Sequence, residues 1–174
     1  MNGLTAVILV LLGLAVLAGL VVMLLYNKLV ALKNRVEAAW SQIDVQLRRR
    51  SDLIPNLVEV VKDYLAHEQE TLTQVIQARN QAVAAREQGR EASIAAEGML
   101  TAAMGRLFAV AEAYPELRSN QNVASLQEEL SATENKIAFA RQHCNDSAMG
   151  LNTAIDPSPS HLIATRFRFP RSVY

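Results

Sequence analysis

The sequence is short of the residues that build several kinds of protein. Its single cysteine, Cys144, excludes an internal disulfide framework and a cysteine-rich zinc site. Seven glycines and five prolines in 174 residues leave little material for a turn-rich β fold. Neither sign of charge is in excess, because 17 lysines and arginines balance 17 aspartates and glutamates. That balance argues against bulk nucleic-acid binding, which needs a basic surplus to displace counterions, so no nucleic-acid partner is expected. There is no phosphate-binding glycine loop and no serine elbow.

What is present begins with a run free of charge. Leu4–Tyr26 contains no Asp, Glu, Lys or Arg over 23 residues, which as a helix spans roughly 34 Å. A bilayer's hydrocarbon core is about 30 Å thick, so the run is long enough to cross with some tilt. A cleaved signal peptide would want a charged n-region, a shorter apolar stretch and a small-x-small cleavage site. The run is too long for that, and no cysteine follows it to carry a lipid. A spanning helix over residues 1–26 is expected, with the bilayer as its partner. Lys28, Lys33 and Arg35 follow the span and no basic residue precedes it, so the N-terminus should lie outside and the domain in the cytoplasm. Ala15 and Gly19 form a small-xxx-small pair that could bring two spans together, although such pairs are common by chance.

Beyond Asn27 the apolar residues recur at spacings of three and four, which is helix periodicity. Leu29, Val36, Trp40, Ile43 and Leu47 open a stripe that Ile54, Val58, Val61 and Leu65 continue, and Leu72, Val75 and Val83 extend. Glu87–Glu91 breaks it, polar and with Gly89. A second stripe follows at Ala96, Leu100, Ala103, Leu107, Val110 and Tyr114, ended by Pro115. After a polar turn over 119–122 a third runs through Val123, Leu126, Leu130, Ile137, Cys144, Ala148 and Leu151, and stops at Asp156-Pro157-Ser158-Pro159.

The first stripe would make a helix of roughly 90 Å and must fold back. Asp52 with Pro55 reads as a helix start, yet the stripe stays in phase across Pro55, which suits a continuous helix kinked at Pro55. Reversal near 64–68 is the favoured site. Either choice gives an all-α protein: an N-terminal transmembrane helix, then an antiparallel four-helix bundle of long helices over 27–155 and a tail over 156–174. Without Gly or Pro between Leu20 and Ile54, the spanning helix can run straight into the bundle. Even parity returns the tail toward the bilayer, where Arg166, Phe167, Arg168, Phe169 and Arg171 suit an anionic surface; a frayed terminus is the alternative.

A catalytic set is hard to assemble. His67-Glu68-Gln69-Glu70-Thr71 starts like the zinc-protease helix, but Thr71 stands where the second histidine is needed. His143 and His161 show no ligand spacing, and Cys144 sits in an apolar stripe. Neither catalytic residues, a metal site nor a cofactor is expected. The Arg48–Arg50 run reads as a solvated or membrane-facing patch. One polar feature remains: Glu68 and Arg79 fall on or beside an apolar face, and Glu134 and Arg141 share one. Charges there must pair, either to set helix register or to form a polar seam for a ligand.

These residues carry a resemblance. Tyr26-Asn27, Ala39–Leu47, Arg49-Arg50, Asp52–Val58, Tyr64, His67-Glu68 and Ala78–Asn80 resemble the LemA family in order and spacing, as do Ala111–Pro115, Leu126–Leu130, Thr133-Glu134 and Ile137–Arg141. The resemblance implies a single-span membrane protein with a short outside N-terminus, a four-helix bundle and no established catalysis. It links some members to a membrane zinc protease of the HtpX type and others to bacterial organelle membranes such as magnetosomes. It leads us to expect a bacterial inner-membrane scaffold or interaction partner that forms homo-oligomers, with a membrane-coupled, ligand-binding sensor as the alternative. The departures lie near the end. Cys144 and Leu151 stand where the family usually has tyrosine, and Arg168 where it usually has glycine.

Overall fold

A computed structural model of the chain describes residues 3–172, and no strand occurs among them. Helix α1 spans Gly3–Val61 without interruption, so the apolar run and the first amphipathic stripe form one helix that passes through Pro55. The reversal occupies residues 62–68. Its backbone closes with Lys62 N–H on Val58 O at 3.0 Å and Leu65 N–H on Val61 O at 3.0 Å, and the buried Leu65 side chain pins the turn to the core.

Helix α2 covers Gln69–Ala85 and a short 3-10 turn covers Arg86–Gln88. Gly89 then adopts φ 112° and ψ 177°, a conformation open essentially to glycine alone, and so lets the chain enter α3, Arg90–Ala111. Pro115 opens the short α4, Pro115–Ser119, just before the polar turn expected over 119–122. Asn120 ends it and begins α5, Gln121–Ile155, its Oδ1 accepting the N–H groups of Asn122 at 2.9 Å and Val123 at 3.3 Å. Helix α6, Ser160–Arg166, follows the Pro157–Pro159 stop, so this part of the tail is helical and not frayed.

The chain divides into two compact units. The inner unit, 42–139, holds the end of α1, all of α2, α3 and α4, and the start of α5, an all-α bundle of four longer helical segments and the five-residue α4 joined by short links. Its core is Ile54, Leu57, Val61, Leu65, Leu72, Val75, Leu100, Leu107 and their neighbours, each large side chain contributing about 1.5–3 kcal/mol on burial. α2 offers Ala78, Ala82 and Ala85 to this core, small residues that let helices approach closely.

Three stripe positions differ from the sequence pattern. Val83 and Val58 are less buried than Ala82 and Leu57, and Trp40 is half-buried beside the buried Ala39. An apolar stripe wider than 100° offers two adjacent residues for one inward seat, and close packing takes the one that fits.

The other unit comprises the chain up to Ser41 together with the stretch from Ala140. Here Leu29, Val36, Leu151, Ile155, Ile163 and Ala164 form a second, smaller core, flanked by Leu25, Leu32 and Phe169. Above it the apolar run of α1 is open to its surroundings, with Leu12 62% and Leu24 68% exposed. Among the described residues two helices, α1 and α3, are long and apolar enough to cross a membrane, and α3 buries its core face within the bundle.

Candidate functional site

The inner unit carries a layer of charge through its core. Between Leu47 and Ile54 the apolar stripe of α1 skips a turn, and the inward seats fall to Arg50 and Ser51, both buried. On α3 the same happens at Ser93 and Glu97, and on α5 at Thr133. Arg50 therefore is not part of a solvated basic patch. Arg48 and Arg49 are exposed, but Arg50 faces inward because helix phase, not charge, decides which of three consecutive arginines meets the core.

Arg50 engages two helices at once. Its Nη2 donates to a carboxylate oxygen of Glu97 and to the Glu97 carbonyl at 3.2 Å. Its Nη1 donates to Glu134 Oε2 at 2.5 Å and to Thr101 Oγ1 at 3.1 Å. Arg50 and Glu97 are almost completely buried, whereas the Glu134 side chain is 49% exposed. Arg86 supports the cluster from α2's end, its Nη2 lying 3.6 Å from Glu97 Oε1 and donating to Leu47 O at 2.8 Å and to Ser51 Oγ. Two arginines and two carboxylates thus balance, which is what burial of charge requires.

The four residues of the expected polar seam take separate places. Glu134 joins the Arg50 cluster. Arg79 is half-buried and donates from Nε to the Ser51 carbonyl at 3.2 Å. Glu68 accepts from the Tyr114 hydroxyl at 3.1 Å, tying the 62–68 turn to the end of α3, and Asn120 Nδ2 donates to Tyr64 Oη at 3.2 Å nearby. Burial, then the hydrogen bond and charge of Glu68, raise the Tyr114 phenol above its ordinary value. Arg141 is exposed on α5, and the charge that meets Glu134 is that of Arg50. The signal for Arg50 was legible, because it occupies the turn that the apolar stripe skips between Leu47 and Ile54; Glu97, next to the stripe residue Ala96, carried none.

A cavity of about 640 Å³ opens against this cluster. Arg50, Thr101 and Glu134 line its polar side, and Met104, Phe108 and Leu130 its apolar side. That mixture suits an amphipathic small molecule. His67 is exposed and does not line the cavity, Cys144 is buried, and no group of three or more metal-ligating side chains gathers among the described residues.

In the other unit the tail is seated on α1. The ring of Tyr26 lies edge-on to Phe167 at 4.9 Å and to Phe169 at 5.7 Å between centroids. Arg168 between them has φ 55°. Phe169 N–H donates to Ala164 O at 2.9 Å and Arg168 N–H to Thr165 O at 3.4 Å, the paired bonds of a left-handed helix cap that normally uses glycine. Arg171 pairs with Asp156, and Asn152 holds the backbone of Ser172 through two bonds, 2.8 and 3.0 Å.

The chain is similar to the magnetosome protein MamQ of Magnetospirillum gryphiswaldense, 27% identical over 173 residues that cover 86% of this chain and 64% of that one. Two proteins of Paramagnetospirillum magneticum, magnetosome proteins MamQ 1 and MamQ 2, match with the same identity and coverage. The chain thus spans somewhat less than two thirds of the length of these relatives. Residues 39–174, the greater part of the sequence and all of the charged cluster, match the LemA family. The chain belongs to the LemA family.

Proposed function

We propose that this is a single-pass membrane protein whose helical bundle acts without catalysis, as a scaffold or interaction partner in membrane organisation or membrane protein quality control. The observation that carries this reading is the uncharged run Leu4–Tyr26, whose large apolar side chains from Leu4 to Leu24 are exposed, on a helix whose other end is built into a bundle core. An apolar surface of that size is not stable in water, and a bilayer is the solvent that suits it. The basic residues after the run favour an outside N-terminus and a cytoplasmic bundle at a bacterial inner membrane. Relatives named as magnetosome proteins support a role at a membrane-bounded structure. Copies of itself are the first partner proposed, with a membrane protease of the HtpX type as a second. The full-length protein should resist alkaline extraction from membranes and run in mild detergent as a defined oligomer. A protein released by alkali, or a monomer that crosslinks to no partner, would overturn the reading.

The cavity beside Arg50 and Glu134 favours a second reading, a sensor that binds an amphipathic molecule. Native mass spectrometry of the full-length protein should then show a retained small molecule that is lost in Glu134→Gln while the bundle still melts cooperatively.

A further inference from the structure

Tyr26 is the last residue of the uncharged run, and the tail is fixed to it. Phe167 and Phe169 meet its ring edge-on, while Ile163, Ala164 and Phe169 pack with Leu25, Leu29 and Leu32. If the run crosses a bilayer, Tyr26 stands at the level of the headgroups, and the segment Arg166–Arg171 must stand there with it. That segment presents apolar and cationic groups outward together. Leu162 is 68% and Phe167 50% exposed. Arg166 and Arg168 are exposed. Arg171 is committed to Asp156 and is not counted among them.

Arg168 also holds a left-handed conformation that L-residues avoid, so the chain places a cation where glycine would fit more easily. We propose that Arg166 and Arg168, which flank Phe167 in the Tyr26–Phe167–Phe169 cluster, form a binding site for the headgroups of anionic phospholipids, with Leu162 and Phe167 entering the acyl boundary. The proposal rests on the membrane-anchor reading. An aromatic and basic collar of this kind matches the interface, where aromatic rings sit among headgroups and cations meet lipid phosphate.

The test uses the full-length protein reconstituted into nanodiscs of phosphatidylcholine with phosphatidylglycerol, re-extracted into mild detergent, with bound lipid measured by mass spectrometry. Phosphatidylglycerol should be retained in preference to phosphatidylcholine, and added inorganic phosphate should not displace it. Each cation near an anionic surface raises affinity about fivefold, so Arg166→Gln/Arg168→Gln should weaken phosphatidylglycerol binding roughly 25-fold. Arg166→Lys/Arg168→Lys should keep most of it. Both side chains are exposed, so the melting temperature should hardly change in either variant. Equal retention of the two lipids, or unaltered binding in the glutamine variant, would overturn the site, and displacement by phosphate alone would replace the lipid with a free anion. A protein that never enters the nanodisc would instead overturn the anchor.

Discussion

Arg79 Nε donates to the carbonyl of Ser51 at 3.2 Å, and Ser51 is four residues before Pro55. A proline has no N–H, so this carbonyl is the one that α1 leaves without its helical donor. The guanidinium supplies the missing bond from α2. A helix can therefore run through Pro55 from Gly3 to Val61 without a buried acceptor left open.

Removal of the donor should expose the defect. Arg79→Met is expected to destabilise the bundle by about 1–3 kcal/mol, the cost of an unsatisfied partly buried acceptor. Pro55→Ala restores the N–H, so in that background Arg79→Met should cost clearly less. A double-mutant cycle by chemical denaturation measures the difference; strictly additive effects would separate Arg79 from Pro55.

The Arg50–Glu97 pair should behave as a buried ion pair. Arg50→Met leaves a buried carboxylate and is expected to cost about 3–5 kcal/mol, whereas Arg50→Met/Glu97→Leu should recover much of that loss. Arg141→Met, at an exposed position on α5, should stay within about 0.5 kcal/mol of the parent. Denaturant midpoints of the three variants check the contrast.

At the end of α6 the left-handed residue is Arg168, φ 55°. Arg168→Gly should relieve that conformation and raise stability by about 0.5–1 kcal/mol, read as a higher melting temperature of the full-length protein in detergent. The same change removes one cation from the proposed lipid site, so stability and phosphatidylglycerol binding should move in opposite directions.

Tyr114 should give a pH signature. Burial and then Glu68 hold its phenol above the ordinary value of 10.0, which means that the folded protein binds this proton more tightly than the unfolded chain. Its contribution to stability is complete below pH 10.0 and is lost as pH rises through the raised folded value. Phenolate absorbance should show one late-titrating tyrosine, absent in Tyr114→Phe and shifted downward in Glu68→Gln. The parent should also lose stability more steeply than Tyr114→Phe in that alkaline range.

Much of the fold was legible because it rests on local chemistry. Leu29, Val36, Ile43, Leu47 and Ile54 recur at helical spacing, Gly89 and Pro115 interrupt the pattern, and the uncharged run needs a solvent other than water. Those features determine helices, their breaks and the LemA resemblance without reference to any contact.

Tertiary structure alone decided where the charges go. Glu68, Arg79, Glu134 and Arg141 share apolar-facing positions in sequence, yet their partners are Tyr114, the Ser51 carbonyl, Arg50 and, for Arg141, the solvent. A left-handed cap turned Phe167 and Phe169 onto Tyr26. Helix periodicity is set by residues three and four apart, so a chain read in order reveals it. Which buried cation meets which carboxylate or carbonyl depends on helix register between segments 28 to 84 residues apart, and that is fixed only when the cores close.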